Sequence, residues 1–402
     1  MNILVVCQYF YPEEFKVNDL VEGLYARGHR VTVLTGKPNY PKGEYFPGYS
    51  FCGVVREEYK GAEVIRVPVV RRGKSGAVRL FINYLSFVLF GNCFVRMHHC
   101  DFDEVLVYQL SPITMAYPAI IAKRKAKARM SLYVQDLWPE SVSATTSIHN
   151  GLAMRLLNGM VKRIYRASDI IMIQSRAFEE SICSKGDFKN KIVYAPNWAE
   201  DIFLDRSLID EKRYAGIIPD GFKVMFAGNI GEAQDFDNIL NAAGMTKNDK
   251  SIKWLIVGDG RAREKAEKRV ELEGLQDTVL FLGRFPISEM PSLFCHADAM
   301  LVSLKREFIF SLTVPTKIQS YMAFGKPVLT MIDGEGKRIV EEAGCGFTAA
   351  AEDFVSLADN VMRMRMLSIE ERELMGSCGA AYYDDHFSKA TVIQSIDSLL
   401  SS

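Results

Sequence analysis

The sequence predicts an α/β protein with two doubly wound parallel sheets, one in each half of the chain. Length is the first observation, because 402 residues exceed what one hydrophobic core usually organises. The second observation is the alternation of short apolar runs with helical patterns, which is typical of βαβ units. The third is that this alternation starts again after an irregular polar segment, 199–219. Two similar domains are therefore expected.

The first half is expected to form a parallel sheet with crossover helices. Its opening run precedes a helix that ends at Gly28, and a strand follows at once. Strands are expected at 1–6, 29–35, 104–108, 130–134 and 169–174, with helices from 112 to about 127 and ending near 166.

The second half repeats the pattern with five short apolar runs separated by helical segments. These runs predict strands at 223–227, 254–257, 279–282, 299–303 and 327–331.

Composition indicates an ordinary globular protein, with 48% hydrophobic and 24% charged residues. The net charge of zero conceals an asymmetry about Ala199. The first half holds 26 basic and 17 acidic residues and the second half 23 and 32, which gives +9 and −9. Such a split suggests that the first half faces an anionic phospholipid surface or a lipid diphosphate, although two solvated faces of unequal sign would look the same.

Segment 80–95 is the most hydrophobic part of the chain, and Arg71, Arg72, Lys74 and Arg79 precede it. It is short for a membrane span and is interrupted by Asn and Ser. A basic flank before an aromatic-rich helix favours a helix lying in the membrane interface. A core helix of the first domain is the alternative, and the two interpretations are compatible.

The eight cysteines are scattered without CxxC spacing, which is typical of reduced cytosolic thiols. The first ten residues have no basic leader, so they predict a strand and not a signal peptide. A cytoplasmic location is expected.

Three loops of the second half are suited to holding phosphate, since parallel strands end where backbone amides and helix N-termini gather. The first loop, 226–235, contains Gly228 and Gly231, which let a ligand approach the backbone. The second is 258–261, whose sequence lacks the third glycine of a dinucleotide fingerprint. The third is 313–317, where Pro315 suits a first helical turn and leaves the next two amides free. For the first loop, ordinary turn glycines remain the alternative.

Asp136 is the acidic residue of the first half that lies where this architecture places function, directly after the strand at 130–134. A carboxylate there would orient an acceptor hydroxyl or stabilise developing positive charge. A helix N-cap is the structural alternative.

Taken together, these segments resemble the family 4 retaining nucleotide-sugar glycosyltransferases, over essentially the whole chain. The subgroup resembled is that of bacterial surface-polysaccharide assembly, close to L-fucosamine transferases. The segments that carry the resemblance are YFYPEEF (9–15), RGHRVTVLTGKPNYPKG (27–43), QDLWPES (135–141), FAGNIG (226–231), IVGDG (256–260), FLGR (281–284) and YMAFGKPVL (321–329).

The resemblance implies the GT-B fold, in which two Rossmann-like domains face each other across an interdomain cleft. The acceptor domain would span 1–199 and the nucleotide-sugar domain 200–385, with 386–402 forming a helix that crosses back to the first domain.

The resemblance also implies roles for particular residues. Asp136 would be catalytic. Donor binding would involve Gly228, Asn229, Gln234, Arg284, Phe285, Thr316, Lys317 and Ser320, and acceptor binding Tyr11, Pro12, Lys16, Asn39 and Tyr40. No metal or other cofactor would be needed, because helix dipoles and basic side chains would stabilise the leaving nucleoside diphosphate.

The chain departs from the family pattern where two glutamates usually stand, the second of which binds the nucleotide ribose. Leu312 and Ser320 occupy those positions here. Glu307 or Ser320 is expected to reach the ribose instead, with Lys317, Lys305 and Arg306 compensating electrostatically.

The function expected is retaining transfer of a sugar, possibly deoxy or N-acetylated such as L-FucNAc, from a donor expected to be UDP-linked. The acceptor would be a polyprenyl-diphosphate-linked glycan in O-antigen or capsule biosynthesis. The protein would be peripheral at the inner face of the bacterial cytoplasmic membrane and would not bind nucleic acid. Two alternatives stay open: a nucleotide-sugar 2-epimerase of the same fold, and an inactive scaffold of a polysaccharide assembly complex.

Overall fold

A computed structural model describes residues 1–73, 76–145 and 151–401. The chain divides into two units, each an α/β structure with its own core. Unit 1 comprises Met1–Ala195 with Val392–Ser402, and unit 2 comprises Pro196–Thr391.

Unit 1 is built on an eight-stranded sheet with the order β3-β4-β2-β1-β5-β6-β7-β8. Its strands are β1 (Asn2–Val6), β2 (Arg30–Gly36), β3 (Val55–Tyr59), β4 (Ala62–Val67), β5 (Glu104–Gln109), β6 (Arg129–Val134), β7 (Ile170–Ile173) and β8 (Ile192–Tyr194). Its first six helices are α1 (Lys16–Ala26), α2 (Ala77–Met97), α3 (Ala116–Ala126), α4 (Glu140–Thr145), α5 (Gly151–Ala167) and α6 (Phe178–Cys183), and short 3-10 helices lie at Ile113–Met115 and Lys189–Lys191.

Unit 2 is built on a six-stranded parallel sheet with the order β11-β10-β9-β12-β13-β14. Its strands are β9 (Phe222–Ala227), β10 (Ile252–Val257), β11 (Val279–Gly283), β12 (Ala299–Ser303), β13 (Val328–Met331) and β14 (Gly346–Ala349). Its helices are α7 (Phe236–Thr246), α8 (Arg263–Leu272), α9 (Met290–Phe294), α10 (Phe308–Leu312), α11 (Thr316–Ala323), α12 (Glu335–Glu342), α13 (Phe354–Met366) and α14 (Ile369–His386), with 3-10 helices at Asp201–Phe203, Arg206–Leu208, Glu232–Gln234 and Ile287–Glu289.

Strand pairing agrees with the expected parallel sheets, with one exception at the edge of unit 1. There β3 pairs with β4 in the antiparallel sense, whereas the other pairings of both sheets are parallel. The hairpin of β3 and β4, the short β8 and the edge strand β14 are additions to the strands that the sequence predicted.

Each sheet reverses its strand order once, and this positions the loops that matter for function. In unit 1 the reversal lies at β1, between β2 and β5, and in unit 2 it lies at β9, between β10 and β12. Ligands of doubly wound sheets bind outside the carboxyl ends of the strands at such a reversal. The loops that follow β1 and β9 are therefore where a ligand is expected.

Close backbone contact at the carboxyl edge of unit 2 explains two of its glycines. Gly228 follows β9 with φ +144°, and Gly258 follows β10 with φ +139°. A Cβ atom on Gly258 would lie 1.8 Å from the carbonyl oxygen of Gly228. Because a side chain there would collide with backbone, glycine is required for the two loops to touch.

The last helix, α15 (Lys389–Ser401), begins in unit 2 and ends in unit 1. Lys389 forms an ion pair with Asp201 of unit 2. Farther along, the Ile393 side chain packs against Gly23 of α1, where an added Cβ would approach it to 2.8 Å. Asp397 Oδ1 lies 2.6 Å from Nε2 of His29. The C-terminal turns of the chain are thus part of the packing of unit 1.

Helix α2, which contains the hydrophobic segment, is both a core helix and an exposed apolar surface. Phe87 is fully buried, and Asn83 donates to the carbonyl oxygen of Val70 from a buried position. By length and composition alone Val78–Met97 could cross a membrane. However, the buried polar contacts of Asn83 attach this helix to unit 1, as the core interpretation requires.

Candidate functional site

The carboxyl edge of unit 2 holds a lysine that lies over the start of the first phosphate-type loop. The ammonium nitrogen of Lys317 is 3.7 Å from the centroid of the Phe226 ring at the end of β9. The aliphatic end of the same side chain crosses the backbone of Gly228, since a Cβ there would lie 2.4 Å from Lys317 Cε. The structure thus brings together two residues, Gly228 and Lys317, that sequence analysis had placed in separate loops.

Lys317 has an unusual electrostatic environment. Burial lowers the pKa of its ammonium group from the ordinary 10.5 to about 7. Within the described ranges the structure gives Lys317 no ion pair, and its cation–π contact is with Phe226. A partly buried cation without a counter-ion is poorly compensated, and an anionic ligand would supply the missing charge.

The N-terminus of α11 adds backbone donors beside this lysine. Pro315 is the N-cap residue, and Thr316 and Lys317 are the first two residues of the helix. First-turn amides have no partner inside a helix, and the helix dipole gives them partial positive charge. Thr316 is exposed at this end. The two backbone amides of Thr316 and Lys317, together with the Lys317 ammonium group, are suited to binding a phosphate.

Gln234 and Asn229 lie in the loop that follows β9. Gln234 Oε1 accepts a hydrogen bond of 3.1 Å from the Gly231 amide, so its side chain holds the loop in shape. The Ile230 amide donates to the carbonyl oxygen of Asp259 at 2.8 Å, which ties this loop to the second glycine loop. The Gln234 side-chain oxygen is therefore committed to the loop itself.

Ser320 lies one turn below the N-terminus of α11 and faces a carboxylate. Its hydroxyl lies 3.2 Å from the carbonyl oxygen of Thr316 and 3.4 Å from Oε2 of Glu200. Glu200 belongs to the segment that enters unit 2. Three residues earlier in this segment, the carbonyl oxygen of Asn197 accepts a hydrogen bond of 2.7 Å from the Gln319 side chain, which attaches the segment to α11. A carboxylate therefore stands beside Ser320, although it comes from a different part of the chain.

Arg284 and Phe285 follow β11 at the same edge. The Gly258 amide donates to the carbonyl oxygen of Gly283 at 2.8 Å, which joins the ends of β10 and β11. Arg284 is exposed, and the Phe285 ring packs edge to face on Tyr214, with 5.2 Å between centroids. Leu312 is buried in α10 and presents no polar group.

In unit 1 the carboxyl edge is aromatic. The rings of Tyr9, Phe15 and Tyr40 form a triangle with centroid separations of 5.4 to 5.8 Å. Tyr11 is 51% exposed and packs against Tyr59. Of the predicted acceptor residues, the two tyrosines are accessible to a ligand, and aromatic faces bind sugar rings and lipids well.

Glu13 is a buried carboxylate that joins the loops after β1 and β2, and sequence analysis did not single it out. It accepts hydrogen bonds from the amides of Phe10 (3.2 Å), Asn39 (2.8 Å) and Tyr40 (2.7 Å). Burial raises the pKa of this carboxyl to about 7, although the three amides oppose the shift. Its role is to hold the aromatic loop in place.

The other predicted acceptor residues, Pro12, Lys16 and Asn39, mainly contribute to the conformation of the loops and of the start of α1. Asn39 is buried, its Nδ2 donates to the carbonyl of Lys37, and its Oδ1 accepts from the backbone of Arg72 at 3.0 Å. Pro12 follows a cis peptide bond, and Lys16 is the first residue of α1. These residues shape the edge on which Tyr11 and Tyr40 are displayed.

Asp136 lies directly after β6, at the same edge as the loops after β1 and β5. Burial raises the pKa of its carboxyl, while hydrogen bonds from the side chain and backbone of Ser111 lower it. The Trp138 indole donates to the Ser111 hydroxyl at 3.0 Å, so the partner of Asp136 is itself fixed. A half-buried, oriented carboxylate with a raised pKa is suited to handling a proton or orienting a hydroxyl.

Three functional candidates were thus missed or undervalued by sequence analysis: Glu13, Arg72 and Glu200. Glu13 had a signal, since it follows the first strand within an aromatic loop. Arg72 was counted as one member of a basic flank, and Glu200 follows PNW without any motif of its own. Within the described part of the chain, no group of three or more His, Cys, Asp or Glu side chains could hold a metal ion.

Two family models match most of the chain. Residues 14–198 match the glycosyl transferase 4-like domain, and residues 221–365 match the glycosyl transferases group 1 domain. The first match lies in unit 1 and the second in unit 2.

Curated relatives agree with these matches. WbjE of Pseudomonas aeruginosa, described as a glycosyltransferase, is 30% identical over 236 residues, which are 56% of this chain and 57% of the relative. The alignment with it therefore spans little more than half its length. WcaI of Escherichia coli K12, described as a colanic acid biosynthesis glycosyl transferase, is 26% identical over 345 residues, covering 81% of this chain and 82% of the relative.

Solved structures show the same fold at low sequence identity. HepE of Anabaena, crystallised with UDP and glucose, aligns over 100% of both chains with a TM-score of 0.69 and 15% identity. WaaG, a glycosyltransferase involved in lipopolysaccharide biosynthesis, gives the same TM-score, identity and coverage. Two Rossmann-like units with these matches identify the chain as a member of the GT-B glycosyltransferases, in the group 1 and 4-like family.

Proposed function

We propose that this glycosyltransferase transfers a sugar, with retention of anomeric configuration, from a UDP-linked donor to a polyprenyl-diphosphate-linked glycan. The observation that carries the donor side is Lys317, a partly buried cation without a described counter-ion beside Gly228 and a helix N-terminus. A diphosphate matches that site in charge and in its need for several donors. The crystallised complex of HepE with UDP supports the choice of nucleotide.

The proposed donor site extends from the diphosphate to the nucleoside. The Gly228 and Asn229 amides, with those of Thr316 and Lys317, would bind the diphosphate without a metal ion. Arg284 and Phe285 would lie against the base.

The ribose of the nucleotide carries a cis-diol, which a carboxylate recognises by accepting two hydrogen bonds. Because Glu200 lies beside Ser320, one helical turn from the diphosphate site, we assign the ribose contact to Glu200.

The proposed acceptor site lies in unit 1, where Tyr11 and Tyr40 are accessible and Asp136 is half-buried with a raised pKa. Asp136 would orient the acceptor hydroxyl and share its proton as the glycosidic bond forms. The surface-polysaccharide role, in O-antigen or capsule synthesis, is supported by the relative described for colanic acid biosynthesis. A deoxy or N-acetylated sugar such as L-FucNAc is supported by the resemblance of three segments to L-fucosamine transferases: GKPNYPKG (36–43), QDLWPES (135–141) and VPTK (314–317).

The proposed location is the inner face of the cytoplasmic membrane, with α2 as the contact surface. Seven large apolar side chains on α2 are exposed: Val78, Phe81, Ile82, Leu85, Leu89, Phe90 and Met97. Four of them, Val78, Phe81, Leu85 and Leu89, are spaced three or four residues apart and form a stripe on the side opposite the buried Phe87. An apolar helix face preceded by arginines, in a half of the chain with net charge +9, complements an anionic lipid surface.

The first prediction concerns Lys317→Met. Removing a partly buried charge should raise the melting temperature by about 2 °C or more, and should weaken UDP binding about tenfold or more. The folded-state pKa of about 7 lies below the unfolded value of 10.5. The cost of burying the charge is therefore fully present below pH 7 and disappears as pH rises toward 10.5. The gain in stability should accordingly be larger at pH 6.5 than at pH 9.

Thermal unfolding and UDP titration, both repeated with EDTA, provide these measurements. Lys265→Met is the matched control, because Lys265 is an exposed lysine of the same unit and pairs with Asp237 at 2.7 Å. A Lys317→Met protein that is less stable than the wild type, and binds UDP equally well, would show that the lysine is structural. Loss of UDP binding with EDTA in the wild type would contradict the metal-free site.

The second prediction separates the ribose contact from the diphosphate contact. Glu200→Gln should weaken UDP binding about tenfold and 2′-deoxy-UDP binding by clearly less, because the deoxy nucleotide lacks one of the two hydroxyls that donate to the carboxylate. Isothermal titration of both nucleotides checks it. Glu307→Gln tests the other candidate for this contact, and Glu211→Gln is the exposed control. Equal losses for UDP and 2′-deoxy-UDP would remove Glu200 from the ribose site.

The third prediction concerns transfer. Asp136→Asn should lower kcat for transfer from a UDP-sugar into membrane lipid by about 100-fold or more, with UDP affinity unchanged, because the carboxylate acts on the acceptor hydroxyl. Radiolabelled UDP-sugars and bacterial membrane extract provide the assay. Asp101→Asn, an exposed aspartate at the amino end of β5, is the control. Conversion of the UDP-sugar to its 2-epimer without acceptor would favour an epimerase instead.

The fourth prediction concerns the membrane surface. Replacing Phe81, Leu85 and Leu89 together by serine should reduce binding to vesicles of phosphatidylethanolamine and phosphatidylglycerol by about 100-fold or more. Fully burying one such side chain contributes roughly 1.5–3 kcal/mol, and these three have 43–65% of their surface left to bury in lipid. Unfolding temperature should change little, because all three side chains are exposed. Vesicle flotation is the measurement. Serine at the exposed Leu272, Ile369 and Leu374 of unit 2 is the matched control, and equal losses in both variants would reject α2 as the contact surface.

A further inference from the structure

Arg72 is held between two tyrosine rings at the carboxyl edge of unit 1. Its guanidinium carbon lies 5.1 Å from the centroid of the Tyr40 ring and 5.7 Å from that of Tyr9. One guanidinium nitrogen donates to the Tyr9 hydroxyl at 3.2 Å, and the backbone amide donates to Asn39 Oδ1 at 3.0 Å. The side chain is therefore positioned by aromatic contacts at a partly exposed place.

The charge of Arg72 is not used by the fold, unlike that of neighbouring arginines. Arg56, Arg66 and Arg71 form ion pairs with Glu63, Glu57 and Glu44, respectively. Among residues 1–73, 76–145 and 151–401, no carboxylate pairs with Arg72. Aromatic faces stabilise a guanidinium without occupying the N–H groups in its plane. Arg72 donates one of these to Tyr9, which leaves donors for a bidentate anion.

An anion bound at Arg72 would lie at the same edge of the sheet as Asp136, the proposed catalytic residue. The hydroxyls of Tyr9 and Tyr84 are hydrogen-bonded to each other. Burial raises the pKa of the Tyr84 hydroxyl, and the charges of Arg72 and Asp136 both act on it. Arg72 and Asp136 therefore lie at the same edge of the sheet, each close enough to Tyr84 for its charge to act on the tyrosine hydroxyl.

The chain that carries Arg72 leads directly to the apolar helix. Arg72 lies five residues before Ala77, where α2 starts, and the exposed stripe begins at Val78. A ligand bound at Arg72 would therefore have an anionic group near the sheet edge and an apolar part near the start of that stripe. A lipid with an anionic headgroup has this arrangement.

We propose that Arg72, set between the Tyr9 and Tyr40 rings, binds the diphosphate of the lipid-linked acceptor and places the adjoining sugar near Asp136. The inference rests on the proposed function, because it specifies which part of the acceptor unit 1 recognises. It also predicts selectivity. Acceptors whose reacting sugar is close to the diphosphate are favoured over long glycans, since Arg72 and Asp136 lie at one edge of the sheet and both act on the Tyr84 hydroxyl.

The fifth prediction tests this with farnesyl diphosphate as probe and the full-length chain. Arg72→Gln should weaken its binding by at least tenfold in isothermal titration, and Arg72→Lys should recover part of it, because lysine keeps the charge but loses the planar fork. Wild-type protein should bind farnesyl monophosphate more weakly, and farnesol more weakly still. Inorganic diphosphate separates headgroup recognition from the contribution of the lipid chain.

Arg71→Gln is the matched control, because the adjacent arginine is already paired with Glu44. Its binding of farnesyl diphosphate should stay within about threefold of the wild type, as expected for removal of an exposed ion pair. Arg72→Gln that binds farnesyl diphosphate like the wild type, or no more weakly than Arg71→Gln, overturns the proposal. The proposal is also overturned if Arg72→Gln loses the same factor of binding affinity for farnesyl diphosphate, farnesyl monophosphate and farnesol.

UDP titration of the same Arg72 variants distinguishes this proposal from the proposed function. Unchanged UDP binding with lost farnesyl diphosphate binding supports both. Unchanged UDP binding with unchanged farnesyl diphosphate binding rejects Arg72 alone. Absence of UDP binding to the wild-type chain, with farnesyl diphosphate still bound through Arg72, would reject the proposed donor site and leave the lipid diphosphate site in place.

Discussion

Parallel strand pairing is the constraint on which both candidate sites depend. Parallel strands that are joined by crossover helices bring all of their following loops to one edge of the sheet. In unit 1 this edge collects loops after β1, β2, β4, β5 and β6, so residues as distant in sequence as Tyr9, Arg72 and Asp136 become neighbours. In unit 2 the same geometry places the loops after β9 and β10 in contact, with glycine at both positions. The order and direction of the strands bring the functional side chains together, and the sequence needs only to supply short polar segments after the apolar strands.

The two edges share a second property, which is an ionisable group held away from water. Burial raises the pKa of Glu13 to about 7 and lowers that of Lys317 to about 7. Glu13 is compensated by three backbone amides, and its function is to fix the loops that display Tyr11 and Tyr40. Lys317 has no such compensation among the described residues. One group therefore serves the architecture of its site, whereas the other is available to a ligand.

Much of this arrangement follows from the sequence, for physical reasons that differ between elements. Strands such as 299–303 could be located because they are buried on both faces and appear as continuous apolar runs. The hairpin of β3 and β4 was missed because β3 is an edge strand with the mixed sequence VREEY, which carries no apolar run. Gly228 and Lys317 could be named from their loops, but their contact depends on packing between β9 and α11. The carboxylate near Ser320 could not be predicted, since Glu200 is 120 residues away in sequence.

Net charge alone does not explain how unit 1 would recognise an anion. Several of its arginines are neutralised by glutamates. The exposed pairs, Arg56 with Glu63 and Arg71 with Glu44, contribute little energy and are screened by salt. The +9 charge of the first half can steer the protein toward an anionic surface, but it cannot select a diphosphate from other anions. Selection requires a cation that is fixed in direction and still has free donors. Arg72 meets this requirement because aromatic rings, and not a carboxylate, hold it in place. The aromatic loop and the basic flank, which looked like separate features of the sequence, are then two parts of one binding site.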